Sequence, residues 1–191
     1  MFKVVNSQFN TTKITTTALL MAIAILLPII MPIKIVIGPA SFTLASHVPI
    51  FLAMFLSPGI GLIVSLGATI GFFVAGFPIV IVFRALTHII FAYIGGKIIE
   101  KRSTQMIESF KNGLLFSFMI GLIHAIAETI IVSLFFFGLI GVTDTSNGFL
   151  YTVILLVGVG TLIHSMVDFL IAQYLWKALG DRFTKLKTRM S

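Results

Sequence analysis

Apolar residues run along this chain in long blocks rather than in alternation. The blocks lie near 14–36, 44–56, 59–76, 79–98, 112–140 and 148–176. About 20 residues of α-helix cross the hydrocarbon core of a bilayer, so runs of this kind predict helices in lipid. No period-two alternation marks a strand, which argues against a β-barrel. The second block is short, and Ser57-Pro58-Gly59 joins it to the third. Proline suits a first helical turn because its missing N–H would be unpaired there anyway. The expectation is one integral membrane domain over residues 1–191, all-α, with six transmembrane helices.

Polar residues interrupt these blocks in an ordered way. Arg84/His88, His124/Glu128 and His164/Asp168 are each four apart in an otherwise apolar run. Residues at i and i+4 share a helix face. Charge in hydrocarbon is costly unless it meets a partner, a cavity or a ligand. At 1.5 Å per residue, Arg84 and Glu128 fall in the outer layer of the bilayer, and His88 and His124 near its middle. The same reckoning puts His164 and Asp168 near the inner face, below the other two pairs, in a structural role or one in inward release. His47 stands at the outer start of the short second helix, as a lid or pocket residue.

Composition supports lipid as the solvent: 58% of the 191 residues are hydrophobic and 10% charged. The formal charge of +7 is mostly a topology signal. Lys3 and Lys13 precede the first helix. Lys97, Lys101, Arg102 and Lys111 flank the fourth-to-fifth loop. Lys177, Arg182, Lys185, Lys187 and Arg189 follow the sixth helix. All fall on one side of a six-helix topology, with only Lys34 opposite, so the positive-inside rule places both termini in the cytoplasm. No basic surface suited to nucleic acid appears. The start of the chain lacks a small-residue cleavage pattern, so no removable signal peptide is expected.

Several chemistries are excluded or disfavoured. There is no cysteine, hence no disulfide, thiolate metal site or thiol nucleophile. No P-loop, H-E-x-x-H or G-x-S-x-G motif occurs, so no enzyme is expected. His88, His124 and Glu128 are suitable ligand types for a metal. A guanidinium at Arg84 beside them opposes a cation and favours a carboxylate, so no metal or other cofactor is expected.

The whole chain resembles the substrate-binding S components of energy-coupling factor (ECF) vitamin transporters. The likeness rests on length, six helices, both termini inside and the first helix with Ala18, Ala22 and Ala24. It also rests on the run from His47 through Ser57-Pro58-Gly59. The segment from Gly76-Phe77-Pro78 to Arg84-Ala-Leu-Thr-His88 most resembles the niacin-specific members. The resemblance implies high-affinity binding of a vitamin, with nicotinate as its best instance, on the outer side of a bacterial cell membrane. It implies substrate contacts at Arg84, His88, His124, Glu128, Asn147 and Tyr151, to which the position of His47 adds a lid or pocket residue. Docking on a membrane scaffold subunit falls to Ala18 and Ala22, with Ala24 adjacent. ATP is used by two separate cytoplasmic ATPase subunits.

Nicotinate fits the residue chemistry, with Arg84 for its carboxylate and a histidine, Asn147 or Tyr151 for its ring nitrogen. Phe42, Phe77 or Phe149 could pack on its ring. Glu128 competes for Arg84 unless it is protonated or shares the guanidinium. Three alternatives stay open: another small vitamin, a haem or metal protein using His88 and His124, and a proton-coupled carrier using His164 and Asp168.

Overall fold

In a computed structural model, which describes residues 11–190, the chain is a helical bundle with one small hairpin. Helix α1 spans Thr11–Ile30 and is followed by strands β1, Lys34–Ile37, and β2, Ala40–Thr43. Helices α2, Val48–Leu56, α3, Pro58–Val74, and α4, Ile79–Arg102, come next. A single turn, α5 at Gln105–Glu108, leads to α6, Phe110–Phe136. The last helix begins as a π-helix over Leu150–Val159 and continues as α7, Gly160–Met190, with a break in helical geometry at Gly180. Lys3 lies outside the described residues.

Among the described residues, four helices are long and apolar enough to cross a membrane: Thr11–Ile30, Ile79–Arg102, Phe110–Phe136 and Leu150–Gly180. Helix α3 is apolar but shorter, at 17 residues. Their outer faces carry exposed Leu19, Ile63, Ile70, Phe73, Ile126 and Ile130, as expected where lipid replaces water. Helix α2 differs in kind. Its nine residues rise about 13 Å, and every one of them is buried. It is a central core helix enclosed by α1, α3, α4 and α7.

The hairpin corrects the expectation that no strand is present. Residues 31–43 read as the end of helix one and a loop, yet Lys34 pairs with Thr43 and Ile37 with Ala40 in an antiparallel ladder. Pro32 disfavours helical geometry at Met31, so α1 stops at Ile30. The β-branched run Ile35-Val36-Ile37 then meets the turn at Gly38-Pro39, where Gly38 has φ +53°. Four residues per strand are too few for an alternation signal to stand out from an apolar background.

Two apolar cores result. The larger surrounds α2 and includes Phe51, Phe55, Phe91, Phe116, Phe169 and Trp176. The smaller lies under the hairpin and includes Ala40, Val80, Ile81, Val132, Phe135 and Val153. Small residues set the helix spacing. Met21 and Ile25 of α1 seat in the hollows left by Gly67 and Gly71 of α3. Gly96 of α4 lies against Pro58, where an added Cβ would sit 2.6 Å from the proline Cα. Backbone cannot give way there. Gly96→Ala should therefore lower unfolding stability in detergent by about 1–3 kcal/mol. Gly59→Ala, whose added Cβ meets nothing nearer than Ser57 Oγ at 3.8 Å, should be neutral or mildly stabilising. Thermal unfolding of the two purified variants, side by side, measures the difference.

Candidate functional site

Between the two cores lies a buried polar cluster fed by four parts of the chain. Helix α4 presents Arg84 and His88, with Thr87 beside them. Helix α6 presents His124 and Glu128. Helix α7 presents Thr161, His164, Ser165 and Asp168. The stretch between β2 and α2 adds Ser46 and His47. On each long helix the spacing is three or four, so one face supplies all its groups.

Glu128 is the hub. Its Oε2 accepts from Arg84 Nη2 at 2.7 Å and Arg84 Nε at 3.1 Å. The Thr161 hydroxyl donates to the same oxygen at 2.5 Å. The other oxygen, Oε1, lies 3.4 Å from His88 Nε2 and 3.3 Å from His124 Nε2. The His124 contact is close but poorly aimed, so it is an electrostatic neighbour rather than a hydrogen bond. Arg84 also donates from Nη1 to the Pro39 carbonyl at 2.6 Å. Its guanidinium carbon stands 5.9 Å from the Phe42 ring centre. The hairpin is thus tied down onto Arg84.

Asp168 makes a second tie. Its carboxylate accepts from the Ala45 N–H at 2.8 Å and the His47 N–H at 2.9 Å. It also accepts from His47 Nδ1 at 3.0 Å. Ala45 has φ +66°, a strained setting for a residue with a Cβ, and the carboxylate holds it there. His164 Nε2 lies 3.5 Å from the same carboxylate and 3.4 Å from Ser46 Oγ. Phe42 stands 5.5 Å from the His164 ring. It reaches this depth because Gly160 leaves room, and a Cβ there would press on the Phe42 ring at 2.7 Å.

The two ties meet through the histidines. His47 Nε2 is 3.3 Å from His88 Nε2. The His47 ring centre is 4.9 Å from those of both His124 and His164. All four histidines of the chain stand in one cluster.

This corrects the layered expectation. His164/Asp168 does not lie apart below the other pairs but adjoins them. The depth estimate assumed a straight α-helix starting at Gly148. The observed helix opens with π-helical turns, which advance less per residue, and its span runs from Leu150 to Gly180 with the pair near its middle. The segment carrying His47 also folds down into the bundle to meet it.

Other expected residues stand elsewhere. Asn147 is exposed in the loop before the π-helix, and Tyr151 is 45% exposed. Neither lines the cavity among the histidines. Phe77 packs on Phe72, and Phe149 on Phe136 and Phe137, in aromatic groups apart from the histidines. Ala18 and Ala22 are exposed on α1. Ala24 is 1% exposed, turned into the core, so it is not on that face. Two residues 200° apart on a helix cannot share a side. Thr161, Ser165 and the Pro39 carbonyl went unnoticed in the sequence. The polar stripe Thr161, Ser165, Asp168 was there to be read as one helix face.

The cavity at the cluster has a volume of about 20 Å³, room for roughly one water molecule. Ser41, Thr43, His47, Arg84, Glu128 and His164 are among its walls. A larger cavity, about 570 Å³, opens at the far end of α2, between Pro58, Gly96, Glu100 and Lys187. Glu100, the one carboxylate among its described lining residues, is exposed and paired with Lys97 at 2.7 Å. It lacks the converging buried groups that fix a ligand's orientation.

Comparison with known proteins accounts for this architecture. Residues 8–181 match the family described as ECF-type riboflavin transporter, S component. The chain is 39% identical over 166 residues to the niacin transporter NiaX of Lactococcus lactis subsp. cremoris (strain MG1363), covering 87% of this chain and 73% of that protein. No solved structure matches it. The chain belongs to the S components of ECF-type vitamin transporters, and is a membrane transport protein rather than an enzyme.

Proposed function

We propose that this chain binds nicotinate at the buried cluster, as the niacin-specific subunit of an ECF uptake transporter. The observation that carries this reading is the Arg84 guanidinium, buried beside Thr161 with Phe42 near its face. A planar guanidinium grips a carboxylate through parallel N–H bonds. The relative named as a niacin transporter supports the same substrate.

Binding needs motion. A cavity of about 20 Å³ does not hold a pyridine ring. The Arg84–Pro39 bond is the natural latch, because a substrate carboxylate can replace that carbonyl on Nη1. Releasing it frees β1 and β2 to lift while Asp168 still holds Ala45 and His47. The ring then lies against Phe42, and a histidine meets its nitrogen. Glu128 shares Arg84 with the substrate and keeps the guanidinium aimed.

The family description favours a second reading, riboflavin. Riboflavin is a larger tricyclic ring without a carboxylate. A site built on a buried guanidinium has less to offer it.

Family membership supports the following reading of the rest of the transporter. The open Ala18/Ala22 face of α1 serves docking on the scaffold subunit, since small residues let helices approach closely. Two cytoplasmic ATPases supply the energy. Six membrane-embedded helices with both termini inside suit the basic flanks.

Calorimetric titration of the purified chain should give saturable one-to-one binding of nicotinate. Nicotinamide, which lacks the charge, should bind about 10–100-fold more weakly, the value of one or two charge-assisted bonds. Tight riboflavin binding with none for nicotinate would overturn the assignment. Arg84→Lys should weaken nicotinate by at least about tenfold through loss of the fork, with the protein still folded. Arg84→Ala should also destabilise the fold, by about 3–5 kcal/mol, because Glu128 is left buried without its cation.

Topology is tested directly, since the chain has no native cysteine. In intact cells Asn147→Cys should react with an impermeant maleimide, and Ser103→Cys only after permeabilisation. The reverse pattern would invert the orientation.

A further inference from the structure

We propose that His47, His88 and His124 form a binding site for a divalent first-row cation of the Zn²⁺ type, with Glu128 as the fourth ligand. One ring nitrogen from each of the three histidines lies within 4.8 Å of the others, and all three residues are buried. Tetrahedral coordination at 2.0–2.1 Å sets neighbouring ligand atoms about 3.3 Å apart. Three separations already have that value. His47 Nε2 to His88 Nε2 is 3.3 Å. His124 Nε2 to Glu128 Oε1 is 3.3 Å, and His88 Nε2 to Glu128 Oε1 is 3.4 Å.

The groups behind two of the three histidines are arranged accordingly, while His88 Nδ1 is buried without a hydrogen-bond partner. A metal-bound imidazole usually gives its other N–H to a carboxylate or another oxygen. His47 gives Nδ1–H to Asp168, which leaves Nε2 with its lone pair toward His88. His124 places Nδ1 on Ser165 Oγ at 3.2 Å. His124 Nε2, buried and facing the cluster, has no hydrogen-bond partner. A bound cation would supply what that nitrogen lacks.

The guanidinium that seemed to oppose a cation does not. Arg84 is spent on Glu128 Oε2 and the Pro39 carbonyl, while Oε1 faces the histidines. Counting Arg84, Glu128 and Asp168 as ionised and the histidines as neutral, the cluster carries one net negative charge. Adding a monocarboxylate would make it two, in a medium where charge is poorly screened. A divalent cation brings the sum of cluster and carboxylate to zero. The cation would thus also favour carboxylate entry, a coupling that rests on the nicotinate reading.

The chain has four histidines, all in this cluster, and no cysteine. Metal uptake by an untagged or Strep-tagged preparation therefore reports on this site. The full chain, purified in detergent and stripped with chelator, is titrated with Zn²⁺ alone by calorimetry and then desalted for metal analysis. The expected result is about one Zn²⁺ retained per chain, with visible tetrahedral bands when Co²⁺ replaces it. His88→Ala and His124→Ala should each weaken Zn²⁺ by at least tenfold. No saturable Zn²⁺ binding by wild type, or octahedral Co²⁺ bands, overturns the site without reference to any variant. Unchanged affinity in both folded variants overturns it as well.

Nicotinate titration with and without Zn²⁺ separates the two readings. The expected result is at least tenfold tighter nicotinate binding with Zn²⁺. Tight nicotinate without any Zn²⁺ binding removes the cation alone. Bound Zn²⁺ with no nicotinate binding under either condition leaves the metal site standing and removes the substrate assignment.

Discussion

The rest of the site depends on Glu128 being satisfied inside an apolar bundle. A lone buried carboxylate costs several kcal/mol, so its partners must be supplied from every side. Arg84 comes from α4, Thr161 from α7, and two histidines stand against its second oxygen. Three long helices are thereby registered against one another at one level. The Arg84 bond to the Pro39 carbonyl then carries that register out to the hairpin. A bundle held together in lipid by packing alone would have fewer reasons to choose one rotation of each helix.

Asp168 does for the backbone what Glu128 does for the side chains. The turn between β2 and α2 enters the interior with N–H groups that no helix or strand satisfies. Asp168 accepts two of them, at Ala45 and His47. Irregular backbone at membrane depth is tolerated only where protein satisfies it. The same carboxylate orients His47, so the β2–α2 turn and the histidine cluster share one anchor. In the proposed opening, the hairpin leaves Arg84 while its base stays held by Asp168.

Much of this was legible along the chain. Arg84/His88, His124/Glu128 and His164/Asp168 stood out because a charge in an apolar run needs a reason. The seat of α1 on Gly67 and Gly71 emerged only in the structure, since small residues four apart are common by chance. Depth was less readable. Counting residues from a helix start assumes straight α geometry, and the π-helical opening of the last helix breaks that assumption. The hairpin was hidden because eight strand residues in an apolar neighbourhood carry no distinctive period. Ala24 looked like part of a small-residue face until its rotation about α1 turned it into the core.

The sequence by itself determined the solvent, the helical class, the lack of any thiol, and which residues would need partners. These follow from composition and from local periodicity, which are properties of short stretches. The tertiary structure alone decided that the three pairs are one cluster. It brought His47 and Asp168 together from 121 positions apart, and decided that Glu128 holds Arg84 through one carboxylate oxygen while its other oxygen faces the histidines. Such contacts depend on the rotation, depth and bending of whole helices. No local pattern encodes those quantities, because they are settled only when every buried charge has found its counterpart.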